Sequence, residues 1–164
     1  MADQQVEVGF AAIIVHDNKM LLGRRKGSHG DGMLAFPGGR LEYGETWEAG
    51  LAREVREETG LRAQLVPYSK YNTAFWVTNE IWPNRHFVTL WLKAVLVPDD
   101  DGLFRSTPQI LEPDKCASWG WFSYAELHQE LLQAWNDWLY RKDNPQLLWV
   151  PFDQLTMFAE ELGI

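Results

Sequence analysis

The chain has a single cysteine, Cys116, among 164 residues. That excludes an intrachain disulfide and makes a reducing compartment the simplest setting. Positive charge is also scarce, with 15 Lys and Arg against 23 Asp and Glu and a net charge of −8. Such a balance argues against a protein that holds polymeric nucleic acid by neutralising its phosphates. It does not exclude a small anionic substrate, because a bound metal inverts the local sign. No run approaches the ~18 apolar residues of a membrane span. The opening stretch MADQQVEVGF has no basic region followed by a long apolar segment, so no signal peptide is expected. Repeats, low-complexity tracts and interdomain linkers are absent as well. What is abundant is core-forming material: 46% hydrophobic residues and 13% aromatics, nine of them Trp. The expectation is a soluble, cytoplasmic, single domain spanning 1–164, with no membrane partner.

Hydrophobic patterning outlines the elements. VEVGFAAIIV (6–15) and KMLLGRR (19–25) read as two strands joined through the turn residues Asp17-Asn18. KGSHGDG (26–32) reads as a loop, MLAF (33–36) as a short apolar segment, and Pro37-Gly38-Gly39 as a break in regular structure. A helix is expected over about 46–59, with Thr46 as N-cap, Gly60 just past its end, and Trp47, Leu51 and Val55 as its buried stripe. LRAQLV, KYNTAFWVT, HFVTLWLKAVLV and WGWF read as further strands. Residues 98–118 form a long Asp- and Pro-containing loop, long enough to suggest function. Ser123-x-x-Glu126 is a capping box opening a helix through about 141, and a last helix begins near Asp153. Helices placed before and after strands suggest an α/β fold with helices on both faces of a mixed β-sheet.

GETWEAGLAREVREETG (44–60) places five glutamates and two arginines on one short helix. A solvated charged face is the usual explanation for such a run. Glu54, Glu57 and Glu58, however, fall at i, i+3 and i+4 and project from one side, opposite Leu51 and Val55. A helix built for stability alone would place Lys or Arg at those offsets. Three carboxylates together resemble a hard-cation site, where oxygen ligands suit Mg²⁺ or Mn²⁺.

The wider spacing is more specific. Gly39, five residues, Glu45, seven residues, then Arg53-Glu54-Val55-x-Glu57-Glu58-x-Gly60-Leu61 reproduces the signature of the Nudix hydrolases. Seven fixed matches arise by chance at about 10⁻⁸ per starting point. The chain therefore resembles a Nudix hydrolase, which implies an α/β/α sandwich whose box forms a loop–helix–loop. The resemblance implies Mg²⁺ (or Mn²⁺) bound to a substrate diphosphate, with Glu54, Glu57, Glu58 and the Gly38 carbonyl as ligands. It makes Glu54 a candidate general base held by Arg53, with Glu57 sharing the catalytic cluster. Gly39, Glu45 and Gly60 are then structural parts of the box. For Glu45, pairing with Arg53 or capping the helix stands beside a remote metal role.

LLGRRKGS, the FPGG-to-TWE run, HFVT and EPDKCASWGW extend the resemblance over most of 7–126. They are similar to a branch holding a mammalian diphosphatase of thiopurine and oxidised deoxyguanosine triphosphates. The same branch holds plant cytosolic enzymes acting on oxidised dGTP or monoterpenyl diphosphates. By this resemblance Arg25 faces the phosphates, against a plain surface charge at a strand end, while Ala35, Thr89 and Trp149 line the base pocket, with a core role standing beside that for Thr89 and Trp149. His86 reads as structural, since the glutamates already supply the acid–base chemistry. Residues 127–145, HQELLQAWNDWLYRKDN with its flanks, look like an amphipathic helical insertion suited to covering the pocket or widening an interface between two copies. The implied activity is Mg²⁺-dependent hydrolysis of nucleoside triphosphates, of dGTP or modified-purine type, to monophosphate and pyrophosphate. The alternatives are a non-nucleotide substrate, such as an isoprenyl diphosphate or a pterin triphosphate, and a non-catalytic sensing domain. Degenerate domains lose box glutamates or the arginine, and here all are present.

Overall fold

The computed structural model describes residues 5–27, 31–67, 69–70, 74, 76–82, 85–129, 159–160 and 162. Trp149, most of the 127–145 segment and the start of the helix expected near Asp153 lie outside the described residues. Among the described residues, no helix is long and apolar enough to cross a membrane.

The first hairpin forms as its sequence dictates. β1 (Val6–His16) and β2 (Lys19–Arg25) pair antiparallel, joined at Asp17 and Asn18, which both adopt positive φ (49° and 57°). Asp and Asn tolerate that region best among residues other than glycine, and the mirror-image turn matches strand twist. β3 (Leu34–Ala35) pairs with β2, and β4 (Gly38–Arg40) pairs with β1.

The expectation that Pro37-Gly38-Gly39 ends regular structure is therefore corrected. Gly38 and Gly39 sit opposite Ala11 and Phe10 in the sheet. A Cβ on Gly38 would lie 2.1 Å from the Phe10 carbonyl oxygen, so the two backbones come this close only because Gly38 has no side chain.

Helix α1 (Trp47–Thr59) follows, then β5 (Ala63–Leu65), β6 (Trp76–Trp82), β7 (Arg85–Leu96) and β8 (Cys116–Phe122). Of the strand expected over 70–78, the described residues show β6 at 76–82, which pairs residue for residue with the start of β7. β8 begins three residues before the expected WGWF, since Arg25 and Arg24 of β2 extend its ladder to Cys116 and Ser118. A second helix, α2, runs over 124–129, the last of the continuously described residues. Its capping box is formed: the Ser123 N–H and hydroxyl donate to Glu126 Oε2, and the Glu126 N–H donates to Ser123 Oγ.

The strand order β3-β2-β1-β7-β5 puts β1 at the centre, parallel to β7 and antiparallel to β2. Consecutive β1 residues serve two cores, as the continuous apolar run demands. Phe10, Ala12 and Ile14 pack with Leu51, Val55 and Leu92 on the α1 side; Ala11 and Ile13 pack with Met20, Leu22, Trp91 and Leu127 on the other. Burial of Leu51 and Val55 fixes the rotation of α1, so its charged side has to face the β4 loop.

Candidate active site

Helix α1 is delimited by its own residues. The Thr46 side chain accepts the Ala49 N–H at 3.2 Å, and Gly60, at φ 71°, donates its N–H to the Arg56 carbonyl. Positive φ at this position is what glycine provides. Thr59, fully buried, donates its hydroxyl to the Val55 carbonyl and accepts the Leu61 N–H.

Arg53 organises the charged side. Its Nε and Nη2 donate to the two Glu45 carboxylate oxygens at 2.9 and 3.0 Å. Nη1 donates to Glu54 Oε1 at 2.9 Å and, more weakly, to Glu57 Oε2 at 3.4 Å, while Nη2 also reaches the Arg40 carbonyl. The guanidinium fork thus joins the loop before α1 to the catalytic candidates upon it. Hydrogen bonding to Arg53 holds the Glu45 carboxyl below its usual range, and the same bonds push Arg53 up. The pairing of Glu45 with Arg53 expected from the sequence is present.

The three glutamates have separate environments. Glu54 lies against the β4 backbone, where a Cβ on Gly39 would come within 2.1 Å of its Oε1. Glu58 is mostly buried, and its Oε2 accepts the Gly38 N–H at 3.0 Å. Burial pushes its pKa up to about 8, with the Glu54 and Glu112 charges adding to the rise; the Gly38 N–H and Lys115 oppose it. Glu57 is more than half exposed and turned toward Arg53. Among the described residues, no group of three or more His, Cys, Asp or Glu is gathered closely enough to hold a metal ion. The Glu54 and Glu58 carboxylates nevertheless flank the Gly38-Gly39 backbone, and burial of Glu58 without a counter-cation is unfavourable. This oxygen donor set fits a hard divalent cation, with Glu57 joining only by leaving Arg53.

A cleft of about 100 Å³ opens beside Glu58. Of the expected site residues, Arg25, Ala35, Gly38 and Glu58 line it. Thr89 is not among its lining residues; it sits in β7, opposite Thr78 of β6 and beside Gly9 of β1. His86 bonds Asn79 across the same strand pair, in line with a structural role.

The cleft also has lining residues that sequence reasoning did not single out: Glu112, Lys115, Cys116 and Trp119. The long loop between β7 and β8 delivers Glu112 and Lys115, and β8 delivers Cys116 and Trp119. Ion pairs of Arg56 with Asp99 and of Arg62 with Asp100 hold the loop against the end of α1, and Arg105, itself in the loop, braces Asp99. The Gln109 N–H donates to the Thr59 carbonyl, and the Trp119 indole N–H donates to the Glu58 carbonyl at 3.2 Å. Both cap carbonyls that the helix end leaves without an internal partner. Lys115 Nζ pairs with Glu112 at 2.7 Å. Burial lowers the Arg25 pKa and raises that of the Cys116 thiol. The EPDKCASWGW stretch held the signal for these positions, but nothing local shows that its loop folds back onto α1.

The NUDIX domain family matches residues 6–143. An 8-oxo-dGTP diphosphatase of Escherichia coli is 32% identical over 93 residues, covering 56% of this chain and 67% of that protein. An ADP-ribose pyrophosphatase of Methanocaldococcus jannaschii is 50% identical over 54 residues, but the match spans only 33% of this chain and 32% of that protein. The crystal structure of a MutT NUDIX hydrolase from Burkholderia pseudomallei superposes with a TM-score of 0.60 at 30% identity, covering 75% of this chain and 87% of that one.

Proposed function

Since the chain belongs to the NUDIX domain family and is a Nudix hydrolase, we propose that it hydrolyses deoxynucleoside triphosphates of the dGTP or oxidised-purine type to monophosphate and pyrophosphate. The observation that supports this reading best is the composition of one cleft: Arg25 and Lys115 beside Glu58, with the Gly38 backbone at its edge. Two cations suit phosphate oxygens, and the partly buried Glu58 carboxylate beside them suits the handling of a metal and a proton. The name carried by the E. coli relative, 8-oxo-dGTP diphosphatase, points the same way, as does the resemblance to the branch acting on modified deoxyguanosine triphosphates.

Nudix hydrolases generally use divalent metal ions. Here Glu54, Glu58 and the Gly38 carbonyl would hold Mg²⁺, which when bound neutralises phosphate charge and makes water a better nucleophile. Arg25 and Lys115 orient the phosphate chain along the cleft. Glu54, fixed by Arg53, takes the proton of the attacking water. The water oxygen adds to phosphorus, the P–O bond to the bridging oxygen breaks, and pyrophosphate leaves.

The test is product analysis on a panel of canonical and oxidised nucleoside triphosphates, ADP-ribose and isoprenyl diphosphates, with Mg²⁺ and with EDTA. Pyrophosphate release from dGTP or its oxidised form, lost in EDTA, is the expected result. Efficient cleavage of an isoprenyl diphosphate alone would overturn the reading.

A further inference from the structure

Glu80 holds an unusual position on β6. Among the described residues, its Oε2 is the one buried side-chain polar atom with no hydrogen-bond partner. Its Oε1 accepts the Thr78 hydroxyl at 2.7 Å, and Thr78 Oγ1 in turn accepts the Trp91 indole N–H at 3.2 Å. The register fixes where this row lies. Thr78 is opposite Thr89, Trp76 opposite Trp91 and Glu80 opposite Phe87. Period-two alternation then puts Thr78, Glu80, Thr89 and Trp91 on one sheet face, the face turned away from α1. Trp91 meets Phe36 edge-on, with ring centroids 6.0 Å apart, and Phe36 lines the cleft. A continuous row of contacts therefore runs from the cleft through Phe36, Trp91 and Thr78 to Glu80.

The phosphate chemistry makes no use of this carboxylate. Nor, among the described residues, does it tie elements together, because its side-chain bond is to a residue two positions away on its own strand. A shielded acceptor without a donor is unfavourable unless something else supplies the donor. We propose that Glu80 is a specificity-determining residue that reads the pairing edge of a guanine-type base. This rests on the nucleotide reading above.

The chemistry selects among the bases. Guanine presents two adjacent donors, N1–H and N2–H, which match a carboxylate with Oε2 open and a second lone pair left on Oε1. Adenine and cytosine each place a ring-nitrogen acceptor beside their single amino donor, and thymine flanks its N–H with two carbonyl oxygens. Those acceptors repel a carboxylate. Oxidation at C8 leaves the pairing edge of guanine unchanged, so plain and oxidised guanine are read alike. Trp91 and Thr78 act as positioning residues that hold the Glu80 plane.

The experiment compares kcat/KM for dGTP, dATP and dCTP between the wild-type protein and Glu80→Gln, with melting temperatures for both. Gln keeps the shape and the bond to Thr78 but sets an amino group where Oε2 was, inverting the pattern. The guanine-to-adenine ratio of kcat/KM should fall by about 10–100-fold, mainly through KM for dGTP. Melting should stay level or rise, since an unpartnered charge has been removed. Glu80→Asp, which keeps the charge but withdraws it, should give an intermediate ratio and serves if the Gln variant does not fold. A wild type indifferent to guanine over adenine, an unchanged ratio in an active variant, or a lower melting temperature with uniform loss across all three bases overturns the inference alone. A wild type that hydrolyses no nucleoside triphosphate overturns the nucleotide reading and this inference with it.

Discussion

The Gly38 N–H and the Glu58 carboxylate are twenty positions apart in sequence and 3.0 Å apart in the fold. One strand residue with no side chain therefore holds a mostly buried acid of α1 by its backbone alone. The bond selects the rotamer that brings Glu58 to the cleft edge rather than into solvent.

Glu58→Gln keeps the size of the side chain and removes its charge. Loss of kcat on the order of 10²–10⁴ is expected with the fold retained, because the change acts on developing charge and not on the core. Steady-state kinetics beside a circular-dichroism spectrum check this. A variant within threefold of wild type would sink the assignment of Glu58.

The same residue sets a pH dependence of stability. Its folded pKa is raised from 4.5 to about 8, so the native state holds the proton more tightly than the unfolded chain does. The stability this confers is full below about pH 4.5 and is lost as pH rises toward 8. Glu58→Gln has no charge to desolvate and should therefore stabilise metal-free protein at pH 8, by up to about 4 kcal/mol, and change little at pH 4.5. Mg²⁺ should narrow that difference, since binding favours the ionised native state. Urea melts of both proteins across this range, with EDTA and with Mg²⁺, test it; identical slopes would refute the burial of the charge.

Gly38 and Gly39 are adjacent but should fail in different ways when changed to Ala. At Gly38 the new Cβ meets the Phe10 backbone carbonyl, which cannot yield, so Gly38→Ala should cost about 2–4 kcal/mol or prevent folding. At Gly39 it meets the end of the Glu54 side chain, which can swing aside. Gly39→Ala should therefore keep most of its stability and lose activity, at least ~10-fold in kcat. The reverse pattern in melts and kinetics would contradict the packing described.

Arg53→Lys retains one charge but loses the fork that serves Glu45, Glu54 and the Arg40 carbonyl together. A fall in kcat of about 10–100-fold and a loss of ~1–2 kcal/mol in stability are expected. Glu45→Gln should show the stability loss with a smaller kinetic effect. Equal kinetic losses in the two variants would instead revive a metal role for Glu45.

The sequence by itself determined whatever depends on short-range order. The Asp17-Asn18 turn, the Thr46 and Gly60 ends of α1, the Leu51/Val55 stripe and the Ser123–Glu126 box follow from local backbone preference and period. The glutamate box was legible for the same reason, since its chemistry sits on one helix with fixed offsets. Only the tertiary structure decided which glutamate faces inward, because burial of Leu51 and Val55 against β1 rotates Glu58 under Gly38 and leaves Glu57 in solvent. It also turned a Pro-Gly-Gly break into β4, through a backbone approach that only the partner strand reveals. The EPDKCASWGW stretch marked Glu112, Lys115 and Trp119, but their place in the cleft was not legible, since a loop's destination is set by ion pairs and carbonyl caps made 40 and more residues away. Hydrophobic periodicity carries no information about contacts at that separation, so the placement of the cleft's far wall belongs to the fold.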